Sequence, residues 1–205
     1  MFLYCIQRYT NLKKIYIIIQ DAKKFLRRMI MRKITLLIIA IFSLIAFSNN
    51  MFKEAYQYTY KVAKYYGVSE QRARLIACTV SEEYEKFPQV PYQIFVALIV
   101  SESGFKNLYG DSGHAVGYCQ LHKSAVDYVT TFFPSLKDKI KNIPHDELIK
   151  FPRLQIRIAY RYLYLILKNI TNYNIVETLN FWNNSSNYYL RVFNTLTFID
   201  PIGKK

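Results

Sequence analysis

The 205-residue sequence predicts an all-α domain behind an N-terminal signal or anchor segment. Three observations predict it. Apolar side chains recur with a 3.6-residue period between Gly and Pro punctuation marks, which is the pattern of about six to eight helices. Leu154 to Asn169 is apolar on more than one side, as a helix buried in a core must be. No alternating apolar–polar run rises above noise, so strands are not expected. Apolar residues make up 52% of the chain, too many for a disordered polymer.

Residues 1–30 do not read as a domain. A short apolar run, Ile15 to Ile19, lies between basic clusters. Met31 then opens MRKITLLIIAIFSLIAFSNN: a basic start at Arg32-Lys33, an apolar stretch from Ile34 to Phe47, and the small-x-small pattern Ala46-Phe47-Ser48. The apolar stretch is short for a spanning helix and suits an export signal over 31–48. Residues 1–30 are then an extension produced by start-codon choice, with translation beginning at Met31. The alternative is an uncleaved anchor, a membrane tether through 34–47. Either way residues 49–205 form the folded domain, placed in the periplasm or elsewhere in the cell envelope.

Within that domain, Phe52 to Tyr66 has helical spacing at Ala55, Tyr58, Val62 and Tyr65, and Gly67 ends it. Ser69 is placed to cap a second helix, Glu70 to about Phe87, with Arg72, Ala73, Ile76, Ala77 and Val80 in a 3.6 period. Glu82, Glu83 and Glu85 close it. Three carboxylates would repel one another if buried, so they read as surface. Pro88 and Pro91 break the helix, and Pro91 opens the next one from its first turn. Leu121 to Phe133 reads as a further helix ended by Pro134. Ser135 to Pro152 is polar and irregular with room for one short helix. Ile175 to Phe181 is a shorter helix running into Trp182-Asn183, and the tail from Leu190 is weakly patterned.

The stretch the domain serves is Phe95 to Gln120, FVALIVSESGFKNLYGDSGHAVGYCQ. Phe95, Leu98 and Ile99 form an apolar stripe, and Glu102 follows on it at i+7. Ser103-Gly104 stops the helix, since glycine takes the left-handed conformation a helix end uses. A glutamate with one apolar wall and one open side is placed to keep its proton near neutral pH.

The neighbours of Glu102 carry a resemblance. E-S-x-F followed by S-G-H-A-x-G-Y-C-Q-L is similar to the core pattern of the soluble lytic transglycosylases and the related goose-type lysozymes. Glu102, Ser103 and Phe105 match its first block; Ala115, Gly117, Gln120 and Leu121 match its second. Leu179 to Asn183 resembles a third, weaker block, with Trp182 where the family has Tyr. The resemblance covers about residues 52–189 and implies a lysozyme-like helical fold. It also implies cleavage of the β-1,4 bond of peptidoglycan between N-acetylmuramic acid and N-acetylglucosamine. Glu102 would be acid and then base, and the product would be a 1,6-anhydro sugar. Gly117 would let the backbone approach the saccharide, Gln120 would bond an N-acetyl or hydroxyl group, and Trp182 would stack on a sugar or bond near Glu102. Asn183 would hold the loop or the sugar. Tyr118 replaces an apolar family residue and would bring a hydroxyl to the cleft.

Asp111 stands where many of these enzymes have Ser. A carboxylate there raises the alternative of a hydrolysing muramidase. His114, His122-Lys123 and Asn184-Ser185 also depart from the pattern and keep open a wall-binding protein of weak activity.

The formal net charge is +14, and residues 1–30 hold seven Lys and Arg against Asp21 alone. The body is moderately basic, which suits an anionic polymer such as cell wall. No zinc-finger, homeodomain or RNA-binding signature accompanies the charge, so nucleic acid is not expected. Neither a metal nor a cofactor is expected, because the His and Cys residues show no ligand spacing. Cys78 and Cys119 read as free thiols packed as small hydrophobes. Tyr160 and Tyr162 read as core. A monomer acting on glycan strands is the expected working form.

Overall fold

The computed structural model describes residues 33–41, 43 and 50–204. The expected extension at 1–30 and the cleavage pattern at 46–48 lie outside the described residues. The chain divides into two units, Met1–Ser48 and Asn49–Lys205. In the first, residues 33–41 are helical and present Ile34, Leu36, Leu37, Ile38, Ile39 and Ile41 as exposed apolar side chains. Among the described residues, no helix is long and apolar enough to cross a membrane.

The second unit is mostly helical. Its elements are α1 (residues 50–65), α2 (Glu70–Lys86), α3 (Tyr92–Ser103), α4 (Lys123–Phe132), α5 (Pro134–Ile140), α6 (Pro152–Leu165), α7 (Ile175–Asn183) and α8 (Tyr188–Lys204). Helix α3 is the central one. Ile94 through Ile99 are all buried together with Ser101, so it is enclosed all round rather than amphipathic. Its closest partner is α8, while α6 packs on α2 and α4.

Several boundaries differ from the sequence reading, each for a local reason. Pro91 is the N-cap of α3 in an extended conformation, not a first-turn residue. The hydroxyl of Ser69 makes no capping bond to α2, whereas the side chain of Asn174 caps α7 by accepting from the N–H groups of Val176 and Glu177. Leu121-His122 is strand rather than helix. It is the last of three two-residue strands, β1 (Tyr109–Gly110), β2 (Ala115–Val116) and β3 (Leu121–His122), paired antiparallel in that order. Two-residue strands leave no alternating pattern to read. The polar stretch after Pro134 holds α5 and a 3-10 turn, Asp146–Lys150. Helix α6 ends at Leu165, and Ile166–Ile170 continues it as a wider π turn.

The largest departure is α8. It spans 17 residues in the tail that reads as weakly patterned. Its buried positions, Tyr188, Val192, Ile199 and Gly203, do keep helical spacing. Aromatic, β-branched and Pro201 residues between them mask the signal, because none is a strong helix former.

The acidic cluster closing α2 is not all surface. Glu83 is fully buried, with its oxygens 2.7 and 3.1 Å from Nε and Nη2 of Arg161. Glu82 accepts from Arg157 at 2.6 Å and from Arg153 at 3.4 Å. Arginines at three successive turns of α6 neutralise what repulsion would otherwise expose.

Candidate active site

The site is built where α3 stops. Gly104 closes the helix in the left-handed conformation, φ 58° and ψ 40°, and donates its N–H to Val100. Glu102 therefore lies in the last turn, with the apolar helix behind it. The Ser103 hydroxyl donates to the backbone oxygen of Tyr118 at 2.7 Å, which ties the helix end to the loop after β2.

The loop is held by two glutamines. Gln155 of α6 is fully buried and all its polar atoms are engaged. Its Oε1 accepts from the Tyr118 N–H at 3.2 Å, and its Nε2 donates to Asn107 at 3.1 Å and to the Leu148 carbonyl at 2.7 Å. Gly117 faces it at φ +83°, and a Cβ there would stand 2.0 Å from Gln155 Oε1. Packing against Gln155 is by itself a reason for glycine at 117, beside the expected approach of a saccharide. Gly117→Ala is expected to cost about 2–4 kcal/mol in urea unfolding, from a strained φ and a displaced buried amide. An unchanged midpoint would show that the amide can move aside.

Gln120 clasps the same loop from the other side. Its Nε2 donates to the carbonyls of Gly117 at 2.8 Å and Leu108 at 3.2 Å. Both amide hydrogens are spent on backbone, so the expected donation to a ligand is not available in this conformation. Tyr118 also departs from expectation. Its side chain is buried, its hydroxyl lies 3.4 Å from Nη1 of Arg72, and it does not line the cleft. Burial places it under the loop because its neighbours Gly117 and Cys119 are themselves enclosed.

A cleft of about 380 Å³ opens beside Glu102. Asp111, Gln120, His122, Trp182, Asn183 and Asn184 line it with Glu102. Asp111 leaves β1 with φ +46° and stands 3.9 Å from His122 Nε2. A second hollow of about 210 Å³ shares Gln120, His122, Trp182 and Asn184 and extends to Tyr162 and Phe181. Tyr160 is core, donating its hydroxyl to the Val90 carbonyl at 2.6 Å. Tyr162 is only part-buried and packs its ring on Trp182 at 5.2 Å.

Glu102 is gripped through one oxygen. Trp182 Nε1 donates to Oε1 at 3.0 Å, and the Tyr188 hydroxyl donates to the same atom. Among the described residues no hydrogen bond holds Oε2. Burial pushes the carboxyl above its ordinary range; the Tyr188 and Trp182 bonds and the charges of Arg191 and His122 pull it back only in part. Burial, and then the same carboxylate, push the phenol of Tyr188 far up, so it stays a donor. Burial also raises the thiol of Cys119, with Glu102 adding to the effect, which keeps it an inert packing group. Cys78 and Cys119 are both free.

Tyr188 is the residue that sequence reading misses. It belongs to α8, the element hidden in the tail. Asn184 takes a left-handed conformation that ends α7, and the chain turns back so that Tyr188 reaches Glu102. Arg191, one turn on, donates to the Ser101 carbonyl and locks α8 to the end of α3. Removing a bond to the charged form raises a carboxyl further. Tyr188→Phe is therefore expected to move any basic limb of activity governed by Glu102 to higher pH. A limb that stayed in place would show that Tyr188 does not bond the carboxylate in solution.

Compared with protein-family models, with curated proteins and with solved structures, the chain matches none of them.

Proposed function

We propose that the chain is an exported peptidoglycan lytic transglycosylase with a lysozyme-like helical arrangement, acting in the cell envelope with Glu102 as its acid and base. One observation carries the reading: a carboxyl raised by burial, held by Trp182 and Tyr188 through Oε1, with no hydrogen bond to Oε2 among the described residues, beside an open polar cleft. Raising the carboxyl moves it toward the pH at which it can act as a general acid. Two donors aimed at Oε1 leave Oε2 as the atom that carries the proton.

Oε2–H protonates the glycosidic oxygen as the bond to the muramyl anomeric carbon breaks. The N-acetyl oxygen of the same sugar stabilises the oxocarbenium-like centre. The 6-hydroxyl then attacks that carbon and returns its proton to Oε2. The products are a free 4-hydroxyl and a 1,6-anhydro end; no water is consumed.

A second reading has its own observation. Asp111 lines the same cleft as Glu102, and a second carboxylate able to activate water would make the reaction a hydrolysis. Mass spectrometry of peptidoglycan digested by the purified protein separates the two. Anhydro ends support the transglycosylase; reducing ends replace it with a muramidase; intact strands remove both.

A further inference from the structure

A cavity of about 440 Å³ lies between α4, α5 and residues 143–148. Its floor is apolar, with Val126, Ile140, Ile143 and Leu148. Its rim is cationic, with Lys123, Lys137 and Lys141. Lys123 is neutralised by Asp127 at 2.5 Å, but no ion pair holds Lys137 or Lys141 among the described residues. These two stand four residues apart, where like charges repel and an anion between them would relieve the cost.

The cavity and the cleft are lined by neighbouring residues of one segment. His122 lines the cleft and Lys123, the next residue, lines the cavity; Ser124 and Ala125 turn to the hollow beside the cleft, and Val126 and Asp127 return to the cavity. Residues 122–127 thus contribute side chains to all three hollows. His145, on the cavity side, bonds the Leu121 carbonyl at 3.0 Å and fixes that side to β3.

We propose that this cavity receives the acidic stem peptide of a peptidoglycan strand whose sugars occupy the cleft, an inference that rests on the function proposed above. Neutral sugars have no use for two ammonium groups without an ion pair among the described residues. A stem peptide brings free carboxylates for Lys137 and Lys141 and alanine methyls for the apolar floor. It branches from the muramyl sugar, the residue that Glu102 must address, so its direction from the cleft is set by the strand. The volume is within the range of pockets that enclose small ligands.

The test is calorimetric titration of the full chain with a synthetic stem peptide, L-Ala–γ-D-Glu–meso-diaminopimelate, free of sugar. Saturable binding is expected, weakened about tenfold by Lys137→Glu/Lys141→Glu and weakened by added salt. Both lysines are exposed, so the double variant should fold; circular dichroism verifies it. The same variant should raise KM on peptide-bearing strands without changing kcat, and should cut peptide-stripped glycan as the unaltered chain does. Absent binding, or binding that ignores both lysines, overturns the proposal. Peptide binding at the lysines by a chain that cleaves no strand would support the cavity and remove the enzymatic reading instead.

Discussion

Glu102→Gln is expected to lower wall lysis by about 10²–10⁴-fold, the contribution of a positioned general acid–base group. The substitution keeps the shape of the side chain and an oxygen that can accept from Trp182 and Tyr188. It removes only the proton that Oε2 would deliver. Turbidity loss of purified walls is the readout, with thermal unfolding as the control for folding. Undiminished lysis would show that another residue carries the proton, and Asp111 would be the next carboxylate to replace.

The same variant makes a prediction about stability. The folded carboxyl binds its proton more tightly than the unfolded one, because burial raises it above the ordinary 4.5. Above that ordinary value the native state therefore holds more proton than the unfolded state. Stability attributable to this group is fully present below pH 4.5 and is lost as pH rises through the raised value. Glutamine has nothing to titrate, so the variant should lose less stability than the parent between acid and neutral pH. A parallel pH dependence in the two proteins would contradict a buried, raised carboxyl at this position.

Glu102 and its cleft were legible because they are local in sequence. An apolar helix, a Gly stop and a turn-rich loop place Glu102, Asp111 and Gln120 within one continuous stretch, and Trp182 sits beside a readable helix. What escaped is what depends on distant pairing. The partner of Gly117 is Gln155, 38 residues on in the chain and buried in α6, and nothing in either stretch announces the other. Tyr188 reaches Glu102 only because Asn184 turns the chain, and α8 carries poor helix formers around its buried stripe. The three strands are too short for a period of two to repeat. The sequence points Tyr118 and Gln120 toward a ligand because their polar groups sit in the right stretch. The fold instead uses those groups on Arg72 and on loop carbonyls.

Arg161→Met is expected to destabilise the domain by about 3–5 kcal/mol, a large part of the ~5–15 kcal/mol that holds a typical domain folded. Glu83 has no exposed surface, so without Arg161 its carboxylate is left in the interior with Arg157 Nε at 3.5 Å and Lys86 at 3.4 Å. Neither replaces the paired contacts of Arg161, whose guanidinium also lies 4.8 Å from the Phe133 ring centroid and 5.6 Å from that of Phe87. Arg161→Lys keeps a charge but loses the two-pronged geometry and the flat stacking face, so it should fall between the parent and Met. Methionine in place of Arg161 with glutamine in place of Glu83 should recover much of the loss, because no charge is then stranded. Urea unfolding of these proteins together with Glu83→Gln alone completes the cycle. If the double variant is no more stable than Arg161→Met alone, the loss comes from packing at α2 and α6 rather than from the buried charge.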